Sequence, residues 1–108
     1  MVLLLNRYPD GVIGYWHDLG YAETLARLGF DPLSAWLGSL GARMLGIHPH
    51  DIRGFQDHRG AGIGEMDFTP IRPRIPDSAL RVCEFDQSQS PQKVIQGLAH
   101  LRQAGLVP

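Results

Sequence analysis

Three segments of the chain share one pattern of hydrophobic and polar positions. Each is a short apolar run that ends in an acidic residue or a histidine and then breaks into a loop. The segments are residues 12–18, 44–51 and 79–86. Their length and their content of branched and aromatic residues predict three β-strands.

The segment between the first two predicted strands has helical periodicity. Residues 21–29 place their apolar side chains on one helical face and end in Gly29, which is typical of a helix C-terminus. Asp31 and Pro32 then predict the N-cap and the first turn of a second helix that continues to about Leu40.

A third helix follows the last predicted strand. Ser90 and Pro91 predict its start and Gly105 its end. Its expected buried stripe consists of Val94, Ile95, Leu98 and Leu101. Strands that alternate with helices, with no hairpin signal between them, favour an α/β fold with a parallel sheet of about three βα units.

Composition limits the classes of protein that this chain can represent. Its 108 residues, 44% of them hydrophobic, are expected to form a single domain over residues 1–108. One cysteine excludes a disulfide scaffold and a cysteine-based zinc site. The balance of 10 basic and 11 acidic residues argues against nucleic acid as a partner, and the longest apolar run is too short to span a membrane. We therefore expect a soluble, cytoplasmic protein.

Chemistry is expected where the predicted strands end, because ligands of parallel α/β folds bind at the carboxyl ends of strands. Strand alternation directs Asp18, His48 and Glu84 toward one region if their three faces lie on the same side of the sheet. Two carboxylates and an imidazole suit a divalent cation such as magnesium, manganese, cobalt or zinc.

Each of these residues also has a purely structural interpretation. Asp18 considered by itself fits the N-cap of the following helix better than a metal ligand. His48 fits a buried neutral histidine whose two nitrogens are both hydrogen-bonded. Glu84 is expected in mid-strand between Cys83 and Phe85, where an unpaired charge is costly, so it calls for a cation or a donor nearby. The three residues together favour a site.

Other residues carry weaker signals. Gly60, Gly62 and Gly64 resemble a phosphate-binding loop, but no strand leads directly into them, so we interpret them as turn or packing glycines and exclude dinucleotide binding. Asp57 and His58 fit a solvated loop as well as a site. Cys83 is expected to be an inert buried thiol on the opposite face of its strand from Glu84.

Several motifs together resemble the xylose isomerase-like TIM barrels, a superfamily of sugar isomerases, epimerases and endonuclease IV-like enzymes. The run HPHDIRG, followed by Asp57 and His58 and then by GIGEMDF, looks like the seventh strand and the loop after it. The run YWHDLGYA is similar to the sixth-strand motif, and VCE looks like the eighth strand. The resemblance covers nearly the whole chain.

The resemblance implies roles for particular residues. Asp18, His48 and Glu84 match three of the four protein ligands of a divalent metal ion, and Glu84 also matches one of two glutamates that move a proton during sugar isomerisation. The other residues that the resemblance places near a substrate are Tyr21, His50, Asp57 and His58.

The chain departs from the superfamily in three respects. The second catalytic glutamate belongs to a fourth strand that is absent here. Tyr21 replaces the histidine of the sixth-strand motif, and Asp57 and His58 are adjacent where the DNA-repair members have Asp-x-His. A multi-zinc endonuclease site is therefore not expected.

The length implies a partial barrel. A (β/α)₈ barrel takes about 250 residues, so this chain accounts for about three and a half units. An open sheet would expose Trp16, Met44, Leu80 and Val82, and a second copy of the chain is the simplest cover. We expect a homodimer.

Three functions are compatible with these features. The chain is expected to be a binding or structural module that retains the fold and a metal, or a rearranged piece of a longer gene, in preference to an active enzyme by itself. The alternative is a metal-dependent isomerase or epimerase of a small sugar or hydroxy-carbonyl compound, active as an oligomer.

Overall fold

A parallel sheet of three strands forms the centre of the computed structural model, which describes residues 2–9 and 11–108. The strands are β1 (Tyr15–Asp18), β2 (Met44–His48) and β5 (Leu80–Arg81), in the spatial order β1-β2-β5. Both pairings are parallel, and Asp18 lies opposite His48. The predicted mixed α/β fold with a parallel sheet is confirmed.

Four α-helices surround or precede this sheet in the described part of the chain. They are α1 (Val2–Leu5), α2 (Leu19–Arg27), α3 (Leu33–Leu40) and α4 (Pro91–Gln103). Short 3₁₀ turns occupy Gly41–Arg43 and Arg72–Arg74. None of the helices in residues 2–9 and 11–108 has the length and apolar character needed to cross a bilayer.

Local capping chemistry explains most of the helix boundaries. Ser90 accepts a hydrogen bond from the Lys93 amide at the start of α4, as predicted. Gly29 follows α2 with a φ of 90°, which a glycine adopts without strain. The expected cap of α3 is wrong, because Pro32 and not Asp31 occupies the N-cap position and makes no side-chain hydrogen bond.

The second predicted strand is interrupted, and its continuation forms a hairpin that the sequence analysis did not predict. Strands β3 (Asp51–Arg53) and β4 (Gln56–Arg59) pair in antiparallel orientation after β2 has ended. The two-residue connection begins with Gly54 at a φ of 61°, which is the conformation that a type II′ turn requires at its first central position. The dipeptide Gly54-Phe55 was therefore the sequence signal from which this hairpin could have been predicted.

The core lies on one face of the sheet, between the strands and the helices. Its fully buried side chains include Leu19, Ile47 and Leu101. Leu101 of the predicted α4 stripe is buried and Val94 and Leu98 are half-buried, but Ile95 is 66% exposed, so its predicted burial is wrong. The helical stripe is narrower than the periodicity indicates, because only one edge of α4 contacts the core.

The other face of the sheet is open and apolar. Trp16 lies opposite Gly46, and Gly46 lies opposite Leu80, so these positions share one face. Trp16, Leu80 and Val82 are substantially exposed, as predicted. Met44 is buried instead, because the register shifts between Tyr15 and Trp16 and gives β2 one extra residue at that point.

A buried histidine makes the stability of the fold sensitive to pH. His17 lies fully buried in β1, its Nδ1 hydrogen-bonds to the Tyr15 hydroxyl, and its Nε2 has no hydrogen-bond partner among the described residues. Burial lowers the pKa of His17 to about 4 from 6.5, against the smaller opposing effect of the Asp18 charge. The folded state therefore favours the neutral imidazole.

We expect acid to destabilise the fold through His17. Below pH 6.5 the imidazole of the unfolded chain binds a proton, whereas the buried imidazole of the folded chain does not bind one until about pH 4. The stability that comes from the neutral His17 is therefore complete above pH 6.5 and is lost as the pH falls. From pH 7 to pH 4.5 the free energy of unfolding should fall by roughly 2 kcal/mol more in the parent than in His17→Gln. Urea denaturation at both pH values measures this difference, and equal losses in the two proteins would contradict the assignment.

A candidate metal centre at the ends of the parallel strands

Asp18 is both the end of β1 and the N-cap of α2. Its Oδ1 accepts hydrogen bonds from the Tyr21 amide and from Nε2 of His50, each at 2.7 Å. Burial would raise the pKa of this carboxyl, but the hydrogen bonds from His50 and Tyr21 outweigh burial, and the pKa of Asp18 lies below its usual range. The capping interpretation and the site interpretation therefore apply to the same residue.

His48 ends β2 directly beside Asp18. Its Nδ1 lies 3.7 Å from Oδ2 of Asp18 and 3.3 Å from Oε2 of Glu84. The Trp16 ring packs against the imidazole at a centroid distance of 5.2 Å. A Cβ on Gly46 would lie 2.6 Å from that indole, so a glycine at this position allows Trp16 to lie across β2. The imidazole is half-buried with one nitrogen directed at the two carboxylates.

Glu84 reaches the site from a different position than predicted. Strand β5 ends at Arg81, so Glu84 lies in the segment that follows the strand and not in mid-strand. The Glu84 side chain is 44% exposed, so its carboxylate is accessible to solvent. Besides His48, its Oε2 lies 3.5 Å from Nε2 of His58.

The three residues have the spacing that a metal ion requires. One ligand atom from each of Asp18, His48 and Glu84 lies within 4.8 Å of the other two. Metal–ligand distances of about 2.1 Å place neighbouring ligand atoms about 3.0 to 3.4 Å apart. The separations of 3.3 Å between His48 and Glu84 and of 3.7 Å between His48 and Asp18 need only small side-chain adjustments to reach that range. The donor set of two carboxylates and one imidazole suits a divalent cation.

A second set of ligand atoms shares Asp18 with the first and includes His50 and His58. The His50 imidazole is fully buried and stacks on His58 with 4.2 Å between ring centroids. Its burial places His50 beneath the site, whereas the resemblance implied contact with a substrate. His58 and Asp57 are partly exposed beside Glu84, where a substrate could reach them.

Asp57 and His58 form an ion pair on β4. Oδ1 of Asp57 lies 3.0 Å from Nδ1 of His58, and this contact is the main cause that raises the pKa of His58 above its ordinary value. His58 has a φ of 55°, the one positive φ of a residue other than glycine in the described part of the chain. Such strained conformations concentrate at functional sites.

Tyr21 contributes its backbone to the site and not its side chain. Its amide donates to Asp18, while the phenol is 57% exposed and makes no hydrogen bond with the described residues. Cys83 is half-buried, and burial raises the pKa of its thiol, which agrees with the expected inert character.

Two supporting residues were missed in the sequence analysis. A Cβ on Gly20 would lie 2.5 Å from the His50 ring, so only glycine leaves room for that imidazole under the start of α2. The Asp51 carboxylate is 1% exposed and accepts hydrogen bonds from the amides of Gly62 and Gly64, among others. These amides therefore hold an internal carboxylate and not a phosphate.

A cavity near the helices contains none of these residues. It has a volume of about 410 Å³ and lies between α2, α3 and the loop that follows β4, lined by Glu23, Leu37, Met66 and Arg74 among others. The cluster of Asp18, His48 and Glu84 lies outside this cavity and is partly exposed to solvent.

Comparison with protein-family models, curated proteins and solved structures finds no match for this chain. The fold and the site define its class: a mixed α/β protein with a parallel sheet and a histidine–carboxylate cluster that is close enough to hold a metal ion.

Proposed function

We propose that this protein binds one divalent metal ion through Asp18, His48 and Glu84. One observation carries the proposal: the end of β1, the end of β2 and the segment that follows β5 bring two carboxylates and an imidazole within 4.8 Å of one another. Nδ1 of His48 lies 3.3 Å from Oε2 of Glu84 and 3.7 Å from Oδ2 of Asp18, and this Oδ2 is the oxygen that accepts neither the Tyr21 nor the His50 hydrogen bond.

The chain is related, in this proposal, to the metal-dependent sugar isomerases and epimerases of the xylose isomerase-like barrels. It acts as a metal-binding module for a small sugar-like ligand and has no turnover as a single chain. Bound metal would polarise a carbonyl and a neighbouring hydroxyl of that ligand. The three protein ligands leave coordination positions for such oxygen atoms.

Isomerase activity is the second candidate function, and one observation favours it. His58, held by Asp57, lies 3.5 Å from Glu84, so two groups that can carry a proton flank the same position. Glu84 could remove a proton next to a carbonyl while His58 returns one, which would replace the missing second glutamate. This activity would belong to an assembled form.

A second copy of the chain is the proposed cover of the open face. Trp16, Leu80 and Val82 form an exposed apolar surface that is continuous with the site, because Trp16 also contacts His48. Parallel sheets are normally covered on both faces, and a two-fold dimer would bury this surface against itself. Each site would then lie at the edge of the interface.

A manganese titration tests the proposed function. Isothermal titration should find one Mn²⁺ per chain in the parent, and Glu84→Gln should bind it at least about tenfold more weakly because a carboxylate ligand is lost. Glu23→Gln is the matched control. It removes the same charge away from the site, because Glu23 pairs with Arg27 on α2. We expect it to bind as the parent does.

The outcomes separate the parts of this proposal. A parent that binds no Mn²⁺, or a Glu84→Gln variant that binds it unchanged, would overturn the metal site. If metal binds but no aldose or ketose exchanges its α-proton with deuterated solvent, only the isomerase function fails. Light scattering of the same samples reports the assembly, and a monodisperse 12 kDa species would contradict the dimer.

A further inference from the structure

The site contains two sets of possible ligands that share Asp18, and they admit two interpretations. His50 and His58 could hold a second metal ion beside the first, with Asp18 bridging the two. Alternatively, His50 could support Asp18 without touching any metal. The hydrogen bonds around His50 distinguish these two cases.

The proton on His50 is assigned by its neighbours. The backbone amide of His58 lies 2.6 Å from Nδ1 of His50. A backbone N–H can only donate, so Nδ1 must accept, and the single proton of the neutral ring is on Nε2. That Nε2 lies 2.7 Å from Oδ1 of Asp18 and donates to it. Both ring nitrogens of His50 are therefore occupied by hydrogen bonds.

Metal binding at His50 would have to reverse this arrangement. A metal ion needs the lone pair of Nε2, which is free only if the ring proton moves to Nδ1. Two N–H groups would then face each other at 2.6 Å. The ring cannot easily turn away, because it is fully buried between His58, stacked at 4.2 Å, and Gly20, whose missing side chain provides its space.

The two oxygens of the Asp18 carboxylate also have different hydrogen-bond partners. Oδ1 accepts from the Tyr21 amide and from His50. Oδ2 lies on the side of His48, at 3.7 Å from its Nδ1. With both donors on one oxygen, the carboxylate is held in the orientation that presents the other oxygen to His48 and Glu84. Groups that orient a metal ligand in this way typically change metal affinity 10- to 100-fold.

We infer that His50 is a positioning residue that donates its Nε2 proton to Asp18, and that the centre accordingly binds a single metal ion. The strained backbone of His58 has a place in this arrangement, since it is the His58 amide that determines which nitrogen of His50 carries the proton. This inference deepens the proposed function and rests on it for the metal, but not for the position of the proton.

Two substitutions at position 50 separate the two hydrogen bonds of the ring. In His50→Gln the side-chain amide can place an N–H where Nε2 stands and can still donate to Asp18. In His50→Asn the shorter side chain can still accept from the His58 amide but does not reach Asp18. We expect His50→Gln to bind Mn²⁺ within about threefold of the parent, and His50→Asn to bind it 10- to 100-fold more weakly, both with one ion per chain.

The decisive measurement is made on the parent protein. Long-range ¹H–¹⁵N spectra of the imidazoles should show the His50 proton on Nε2 in the metal-free protein and after loading with Zn²⁺. Loss of that proton on loading, or two Mn²⁺ per chain with a magnetically coupled electron spin signal, would overturn the inference while leaving a metal-binding function intact.

The remaining outcomes are also informative. If no metal binds, the proposed function fails, and the spectrum of the metal-free protein alone decides whether His50 donates to Asp18. A proton on Nδ1 there would overturn the inference. If His50→Gln and His50→Asn weaken binding equally, the donated hydrogen bond is not what orients Asp18, and the positioning role is overturned.

Discussion

Replacing Asp51 with asparagine should strongly destabilise this protein. The Asp51 carboxylate is 1% exposed, and its two oxygens accept hydrogen bonds from five backbone amides of the described residues at 2.8 to 3.1 Å. The donors are the amides of Ile52, Gly62, Gly64, Glu65 and Met66. This one side chain therefore organises the loop that follows β4.

Asparagine cannot replace the carboxylate because one of its two terminal groups is a donor. Its amide nitrogen would face backbone N–H groups and would leave two of them without an acceptor. These are the amides of Gly62 and Gly64 in one orientation and of Ile52 and Met66 in the other, because the Glu65 amide also donates to the Ile52 carbonyl. Removing one partner of a buried charged network costs about 3 to 5 kcal/mol, and small domains have about 5 to 15 kcal/mol of total stability. We expect a loss of about 4 kcal/mol in the free energy of unfolding.

Urea denaturation followed by circular dichroism measures this loss, and Asp67→Asn is the matched control. Asp67 lies in the same loop, but its carboxylate is exposed and accepts from the Thr69 amide at 2.9 Å. The control should change the free energy of unfolding by less than about 1 kcal/mol. An Asp51→Asn variant as stable as this control would show that the loop does not depend on the buried carboxylate.

Replacing Asp18 with asparagine should strongly weaken metal binding while preserving the fold. Asparagine is as good an N-cap as aspartate, and its oxygen can still accept from the Tyr21 amide and from His50. The amide nitrogen then takes the place of Oδ2, the oxygen directed at His48. The variant thus removes one metal ligand and one negative charge and leaves the start of α2 intact.

We expect the affinity of Asp18→Asn for Mn²⁺ to fall at least about 100-fold, which corresponds to about 2.7 kcal/mol of binding free energy. Its free energy of unfolding should change by less than about 1 kcal/mol. Titration calorimetry and urea denaturation on the same preparation measure both quantities, with Asp67→Asn as the control for the lost charge. Parent-like affinity in Asp18→Asn would mean that Asp18 is only a helix cap.

Local sequence patterns predicted the helices and strands of this protein better than they predicted the contacts between them. The apolar runs and the Ser90 cap depend on residues within a few positions of one another, so periodicity and capping rules identify them. The end of the third strand illustrates the limit. Residues 82–86 have strand composition, yet β5 ends at Arg81, because a strand also needs a neighbour with which to pair.

The sequence by itself determined an α/β protein with a parallel sheet, and it placed Asp18, His48 and Glu84 in the C-terminal halves of the three predicted strands, because both features follow from local periodicity and residue type. Only the tertiary structure showed what surrounds His50, which the resemblance had placed near a substrate. A hydrogen bond to Asp18 across 32 positions and the amide of His58, whose backbone is left-handed, occupy the two nitrogens of His50. Such contacts depend on how segments that are distant in sequence pack together, and rules based on neighbouring residues do not predict that packing.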